Sequence, residues 1–271
     1  MSSLDKREIP IHGPDGFEGM RRAGQLAAEI LDRITEHVKP GVTTGQLDAM
    51  IEQWVNDAGA QSATIGYRGY EHASCISVNH VVCHGIPGSK ILKAGDILNI
   101  DVTVIVDGWH GDTSRMYVAG KPNRRAQLLM DATYESLMAA IATVKPGAHV
   151  GDIGAAIQAH VEPRGFSVVR DFCGHGLGTV FHAPPSVMHF GKTGQGPVLQ
   201  EGMFFTIEPM INAGKYGTKI LKDGWTAVTR DRSLSAQYEH SIGVTADGCE
   251  IFTLSPAGYT CFPYELESAA G

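Results

Sequence analysis

The chain has 271 residues, a net charge of −7 and a pI of about 5.9, so it is long enough for a sizeable core, and its charge argues against a nucleic-acid-binding surface. Its N-terminal sequence, MSSLDKREIPIHGPDGF, has no apolar signal region, and no apolar run is long enough for a membrane span. The five cysteines form no CxxC pair, which predicts reduced thiols in the cytoplasm and no cysteine zinc site.

Hydrophobic periodicity and turn signals predict a single domain over residues 1–271, with flexible ends at 1–12 and 265–271. Helices are predicted over 16–37, 43–58, 123–143 and 150–163. Strands are predicted near 73–79, 97–106, 109–118, 166–170, 203–211 and 238–244. Helices covering one side of a curved, mainly antiparallel sheet would make this an α+β fold.

The chain contains an internal repeat. The segment KPGVTTGQLDAMIEQWVNDAG, which begins at Lys39, resembles KPGAHVGDIGAAIQAHVEPRG, which begins at Lys145, at an offset of 106 residues. A second pair, LKAGDILNIDVTV and LQEGMFFTIEPMI, has an offset of 107 and aligns Asp101 with Glu208. Two matches in the same order predict two related halves about a pseudo-two-fold axis, with their acidic residues meeting in the central crevice.

A hairpin is predicted between residues 97 and 118. The dipeptide Asp107-Gly108 separates two runs rich in valine, isoleucine and threonine, which is a strong signal for a two-residue turn. With that turn Thr103 faces Asp112, and Asp101 lies on the same face of the hairpin. Two carboxylates so close in an apolar setting need a shared proton or a shared cation, although two surface aspartates beside a turn remain the alternative.

The second half supplies three further candidate metal ligands. Glu208 lies in the apolar run MFFTIEPMI, Glu239 in the predicted strand SAQYEHSIGVT, and His175 between glycines in DFCGHGLG. With the two aspartates they make four carboxylates and one imidazole, a set that suits two divalent ions such as Mn, Fe(II), Co or Zn. A turn residue at His175, a surface acid at Glu239 and a purely structural ion site remain alternatives.

These motifs resemble one known family. The segments SVNHVVCHGIPG (77–88), NIDVTVIVDGWHGDTSR (99–115), CGHGLG (173–178), FFTIEPM (204–210) and DGWTAVTRDRSLSAQYEHSIGVT (223–245) are similar to those of type I methionine aminopeptidases, within the creatinase/prolidase-like "pita-bread" metallopeptidases. The resemblance extends from about residue 10 to residue 260. It implies the pita-bread fold and a two-metal site on Asp101, Asp112, His175, Glu208 and Glu239, in which Asp112 and Glu239 bridge the ions.

The same resemblance assigns roles around the metal site. It implies that Glu208 is the general base, that His182 stabilises the developing oxyanion, and that His84 lies beside the scissile bond. From the residues alone, His84 is only a turn residue. The resemblance places the methionine side chain against Tyr67, Tyr70, Cys75, Phe181 and Trp225, which composition alone would assign to the core. It also implies that Asn79 and Ser235 hold a monovalent cation.

One stretch departs from the family pattern. Many members carry acidic residues after the counterpart of His182, where this chain has Ala183-Pro184-Pro185. The two prolines are expected to stiffen a loop, and the change is expected to alter preference beyond the second substrate residue.

The resemblance implies a function and its partners. We expect a cytoplasmic monomer that removes methionine from nascent chains at the ribosome when the second residue is small and uncharged, with no nucleic-acid or membrane recognition. The chain itself begins Met-Ser, which is such a substrate. Two alternatives stay open: an Xaa-Pro aminopeptidase or prolidase, which shares the ligand set, and a non-catalytic pita-bread binding protein.

Overall fold

The computed structural model describes residues 8–264, which form four α-helices and fifteen short or medium strands. Residues 1–7 and 265–271, in the predicted flexible ends, lie outside the described part. His12, within the predicted N-terminal end, is packed: its backbone N–H donates to Gly202 O at 2.8 Å, and its ring stacks on Phe204. No helix among the described residues is long and apolar enough to cross a membrane.

Helices and antiparallel strands alternate along both halves of the chain. The helices are α1 (Pro14–Ile34), α2 (Thr44–Asp57), α3 (Arg124–Ile141) and α4 (Val150–Val161). The strands are β1 (Gln61–Ser62), β2 (Cys75–Val78), β3 (Val81–Cys83), β4 (Ile97–Val106), β5 (Trp109–Val118), β6 (Ser167–Val168), β7 (Gly174–Gly176), β8 (Ala183–Val187), β9 (Phe204–Ile207), β10 (Met210–Asn212), β11 (Thr218–Ile220), β12 (Ala227–Thr229), β13 (Ser235–Gln237), β14 (His240–Val244) and β15 (Cys249–Ile251).

All four predicted helices and the hairpin β4–β5 are confirmed within a few residues, but one strand prediction and one loop prediction need correction. The predicted strand 203–211 is interrupted and forms β9 and β10, because Pro209 follows Glu208 and has no N–H for a ladder. The predicted loop at Ala183-Pro184-Pro185 begins strand β8, which is paired with β7 at an edge of its sheet. An edge position tolerates proline because one side of the strand needs no donor.

The predicted repeat is confirmed in three dimensions. Helix α2 begins with a full capping box between Thr43 and Gln46, and at the corresponding start of α4 Asp152 Oδ2 accepts from His149 N at 2.8 Å. The residues before the two helices also form isolated antiparallel bridges, Thr43 with Ile91 and His149 with Val198. The loops before these two helices therefore have equivalent positions and bridges in the two halves. Each half also has its own large apolar core.

Two sheets meet where the halves join. In the first, β4 pairs with β5 along one edge and with β2 and β1 along the other; the second has the order β15-β14-β9-β7-β8. The sheets are linked by backbone contacts between β5 and the residue before β14, since Glu239 N donates to Ser114 O at 3.0 Å. The hydroxyl of Thr113 also donates to Glu239 O at 2.7 Å. This junction positions the candidate site.

Candidate metal centre

The first two candidate ligands come from one long hairpin. Strands β4 and β5 pair residue by residue, with Asp101 opposite Ser114 and Thr103 opposite Asp112, which is the predicted register. Thr103 Oγ1 donates to Asp112 Oδ1 at 2.7 Å, and Asp112 is only 3% exposed. The hairpin therefore holds Asp112 in a fixed orientation from the facing strand.

The other three ligands come from three separate strands. His175 is the central residue of β7, Glu208 directly follows β9, and Glu239 directly precedes β14. These strands are neighbours in the five-stranded sheet, so residues far apart in sequence converge on one end of it. The alternative that Glu239 is a surface acid does not hold, because it is only 3% exposed.

The candidate ligand atoms lie close together. One ligand atom each of Asp112, His175 and Glu239 lies within 4.8 Å of the other two. His175 Nε2 is 3.5 Å from Asp112 Oδ2 and 3.8 Å from Glu208 Oε1. Asp101 and Glu208 line the same cavity as these three residues. The structure thus brings all five predicted ligands together.

The ring of His175 is oriented for a metal. Its Nδ1 lies 3.1 Å from Gly176 O, and because a carbonyl only accepts, Nδ1 must carry the hydrogen. The lone pair of Nε2 is then available on the side of the carboxylates. A backbone carbonyl that fixes the tautomer in this way is the usual support of a metal-bound histidine.

Two polar residues that sequence reasoning missed hold Glu208. Thr206 Oγ1 donates to Glu208 Oε1 at 2.9 Å and accepts from the backbone N–H of His175 at 3.0 Å. Gln237 Nε2 donates to Glu208 Oε2 at 3.2 Å. Both residues precede a ligand by two positions, so the alternation of side chains along a strand is the signal that could have found them.

Burial and mutual repulsion make the acidic cluster costly without a cation. Burial, the charge of Asp112 and that of Glu208 together raise the pKa of Asp101 well above its usual range. Burial and the nearby carboxylates, Asp112 first among them, likewise raise the pKa of Glu239. Burial raises the pKa of Glu208 to about 7, against the opposing effect of His175. Carboxylates in this state fit divalent cations, which would neutralise them.

The five ligands form the floor of a cavity of about 210 Å³. Its walls include Thr64, Tyr67, Arg68, Tyr70, Cys75, Cys83, His84, Thr103, Phe172, Cys173, Phe181, His182, Met210 and Trp225. Every predicted histidine and pocket residue is in this set. Sequence reasoning missed the remaining wall residues. All but one of them are uncharged, and the one charged residue, Arg68, lies outside the quoted motifs in the turn Tyr67–Gly69.

The two predicted substrate histidines face this cavity as neutral rings. Burial, reinforced by His175, lowers the pKa of His182 to about 2, and burial also lowers the pKa of His84. The ring of His182 lies 4.0 Å from that of His175, and its buried Nδ1 has no hydrogen-bond partner among the described residues. A buried unsatisfied nitrogen beside the ligands is suited to a substrate polar group.

Aromatic rings line the part of the cavity where the side-chain pocket was predicted. Tyr70 and Trp225 make an edge contact with centroids 5.0 Å apart, and Tyr67 and Phe181 lie 4.9 Å apart. Cys75 is 7% exposed and adds a sulfur to this wall. A flexible thioether packs well against such a surface.

Asn79 and Ser235 lie outside this cavity. Ser235 N donates to Asn79 O at 2.8 Å, so the two residues are adjacent. The Asn79 amide bonds Asp96 and the backbone of Ile97, and Ser235 Oγ donates to Asn212 Oδ1. Their side-chain oxygens are therefore engaged within the protein.

The chain is similar in sequence to known metallopeptidases. A model of metallopeptidase family M24 matches residues 18–246. A methionine aminopeptidase of Rickettsia prowazekii is 56% identical over 257 residues, which are 94% of this chain and 99% of the relative.

Solved structures agree with this similarity. A crystal structure of methionine aminopeptidase from Rickettsia prowazekii has a TM-score of 0.90 at 56% identity and covers 91% of this chain and 100% of that one. Methionine aminopeptidase from Thermotoga maritima has a TM-score of 0.89 at 38% identity, over 91% and 99% of the two chains. A prolidase from Pyrococcus furiosus has a TM-score of 0.73 at 20% identity, covering 90% of this chain and 65% of that one, and shares the fold alone.

Proposed function

The chain belongs to metallopeptidase family M24 and, within it, to the methionine aminopeptidases, and from this premise we propose that the carboxylate-lined cavity is its active site. The protein is a metal-dependent aminopeptidase that removes the N-terminal methionine of proteins. The comparisons do not favour the Xaa-Pro aminopeptidase or the non-catalytic alternative. One observation carries the assignment of the site: four acids and one imidazole from both halves converge on a single cavity.

We propose that Asp101, Asp112, His175, Glu208 and Glu239 hold two divalent ions, with Asp112 and Glu239 shared between them. The proximity of Asp112 and Glu239, whose ligand atoms lie within 4.8 Å of each other, supports the bridging role, because a carboxylate has two oxygens to share and an imidazole does not. When bound, such ions polarise the scissile carbonyl, lower the pKa of water and anchor the free α-amine. The carboxylate and imidazole donors suit Mn, Fe(II), Co or Zn.

The protein groups then have separate tasks in hydrolysis. Glu208, oriented by Thr206 and Gln237, accepts the proton of the attacking water. His182 donates to the oxygen of the tetrahedral intermediate, for which its neutral ring can supply an N–H. His84 contacts the amide nitrogen of the scissile bond and helps to protonate the departing amine.

The aromatic wall selects the first residue of the substrate. We propose that Tyr67, Tyr70, Cys75, Phe181 and Trp225 surround the methionine side chain, as their positions on one wall support. The cavity, at about 210 Å³, is smaller than most ligand pockets, which favours a small second residue. The neighbouring pair Asn79 and Ser235 would hold a monovalent cation through backbone carbonyls.

The cellular context remains part of the proposal. Nascent chains at the ribosome would supply free N-terminal methionine, and a monomer in the cytoplasm would meet them. The absence of disulfides among the cysteines of residues 8–264 is consistent with a reducing compartment.

A peptidase assay tests this proposal. Metal is removed with a chelator and Mn, Co, Fe(II) or Zn is added back separately, with Met-Ala-Ser, Met-Leu-Ser and Ala-Pro-Ser as substrates. We expect metal-dependent release of methionine from Met-Ala-Ser alone. Cleavage of Ala-Pro-Ser would refute the pocket assignment, and equal cleavage of Met-Leu-Ser would refute selection of a small second residue.

A further inference from the structure

Arg68 places an exposed positive charge on the wall of the substrate cavity. It lies in the short turn Tyr67–Gly69 with φ 49° and ψ 29°, a left-handed conformation that is uncommon for arginine. The glycines on either side of the Tyr67–Arg68 pair, Gly66 and Gly69, also have positive φ. The turn therefore holds the backbone of Arg68 in a defined orientation at the cavity.

A column of side chains joins this charge to the metal centre. The guanidinium of Arg68 lies 5.3 Å from the centre of the Tyr67 ring, which stacks on His182 with centroids 5.2 Å apart. The His182 ring lies 4.0 Å from that of the metal ligand His175. An extended peptide advances roughly 3.3–3.6 Å per residue, so this column spans at most about four residues of a bound substrate.

Arg68 has no carboxylate partner within the described residues, where the ion pairs of arginine involve Arg21, Arg22, Arg115 and Arg164. Asp223, two residues before the cavity residue Trp225, accepts backbone hydrogen bonds from Trp225 and Thr226 at 2.9 Å. After His182 the chain continues with Ala183-Pro184-Pro185, so no acid stands there to neutralise Arg68.

We propose that Arg68 is a specificity residue that favours substrates with an acidic third or fourth residue, by pairing with that carboxylate as the chain leaves the cavity. This inference deepens the proposed function and rests on it, because the metal end of the cavity must hold the first residue. An exposed ion pair of this kind is worth a modest factor, about 1.4- to fivefold in kcat/KM.

The test uses amidated peptides, so that no terminal carboxylate imitates the acidic side chain. The series are Met-Ala-Xaa-Ser-Gly-amide and Met-Ala-Ser-Xaa-Gly-amide, with Xaa as Asp, Asn or Lys, at low and high salt. For the wild-type protein we expect Asp to exceed Asn by about 1.4- to fivefold in one series, Lys to fall below Asn, and both differences to shrink in 0.5 M salt.

Substitutions assign the preference to Arg68. Arg68→Gln should bring the Asp/Asn ratio to about one, Arg68→Glu should invert it, and Arg68→Lys should keep part of it. The matched control is Arg33→Gln, because Arg33 is also an exposed arginine over an aromatic ring, 4.3 Å from Trp54, but lies outside the cavity. This control should retain the full ratio and its salt dependence.

The outcomes are distinguishable. A general loss of activity in a variant cancels in the ratio, and the salt dependence of the wild-type ratio needs no variant. A wild-type Asp/Asn ratio of one in both series, or an unchanged ratio in Arg68→Gln, would overturn the proposal while the proposed function stands. If the neutral Asn peptides release no methionine with any metal, the proposed function itself fails.

Discussion

The two halves of this molecule position their proposed metal ligands in different ways. In the first half, Asp101 and Asp112 stand on one hairpin of two ten-residue strands joined by a two-residue turn. In the second half, His175, Glu208 and Glu239 stand in or beside three separate short strands. A continuous ladder fixes the first pair, whereas packing between segments distant in sequence fixes the second group.

This difference indicates which half of the site needs a bound ion to keep its geometry. The hairpin register is set by backbone pairing, which persists whatever the charge of the aspartates. The second group depends on short ladders, four residue pairs between β14 and β9 and one between β7 and β9, together with side-chain bonds such as those of Thr206. One backbone bridge, Glu239 with Ser114, ties it to the first half. Repulsion between buried carboxylates should therefore be relieved by movement in the second half rather than in the first.

Metal removal should have the largest effect. When a chelator removes the metal, we expect activity to fall to background. A metal ion present at a free concentration about a thousand times its Kd would add about 4 kcal/mol to the free energy of unfolding, and the chelator removes this contribution. That loss corresponds to a fall in Tm of roughly 10 °C. Hydrogen exchange should accelerate more at residues 174–176 and 204–207 than in the 97–118 hairpin. Equal acceleration in both regions would contradict the comparison between the halves.

Removal of one of the two proposed bridging carboxylates, in either half, should lower activity nearly as much as removal of the metal. Asp112→Asn and Glu239→Gln should each lower kcat/KM by about a thousandfold or more, on the order of what loss of a central catalytic group costs. Metal content by mass spectrometry should drop in both. Asp107→Asn, in the exposed turn of the same hairpin, is the matched control and should remain active. A metal-loaded, active Glu239→Gln would remove Glu239 from the ligand set.

The same contrast explains what could be predicted from sequence. The turn signal at Asp107-Gly108 and strict alternation fix which residues face one another, so the pairs 101–114 and 103–112 follow from counting alone. The repeat at an offset of 107 then points to Glu208 as the counterpart of Asp101. These inferences need only local geometry and self-similarity.

The second half resists such reasoning for a physical reason. His175 lies in a strand of three residues, where glycines suggest a turn and no periodicity can develop. Pro209 divides a run whose apolar character predicts one strand. The contacts that join these pieces, such as Glu239 with Ser114, are between residues far apart in the chain. The residue types alone suggested one metal-binding set but left alternatives open at His175 and Glu239, and the resemblance to a known family assigned them to one site.

Removal of the threonine hydroxyl groups that donate to the carboxylates should have intermediate effects on kcat/KM. Thr206 contacts both Glu208 and His175, whereas Thr103 contacts Asp112 within a hairpin that is already rigid. Groups that orient metal ligands typically contribute about 10- to 100-fold, so Thr206→Val should cost several tens-fold in kcat/KM and Thr103→Val about tenfold. Thr206→Ser and Thr103→Ser keep the hydroxyl and should recover most activity. A larger loss in Thr103→Val would reverse the proposed order of the halves.

The smallest expected effect concerns the contact between the hairpin and the loop that carries His182. The backbone N–H and ring Nδ1 of His110 both lie 2.9 Å from Gly178 O, and its ring stacks on Phe181 with centroids 5.7 Å apart. His110→Ala should raise KM and lower kcat/KM by about two- to tenfold, the value of one hydrogen bond, with metal content unchanged. His110→Asn keeps a donor and His110→Phe keeps a ring, so their separate losses divide the effect between bonding and stacking. A different result would be that neither variant recovers activity and that both lose metal. His110 would then act through Asp112, by supporting the hairpin rather than the loop.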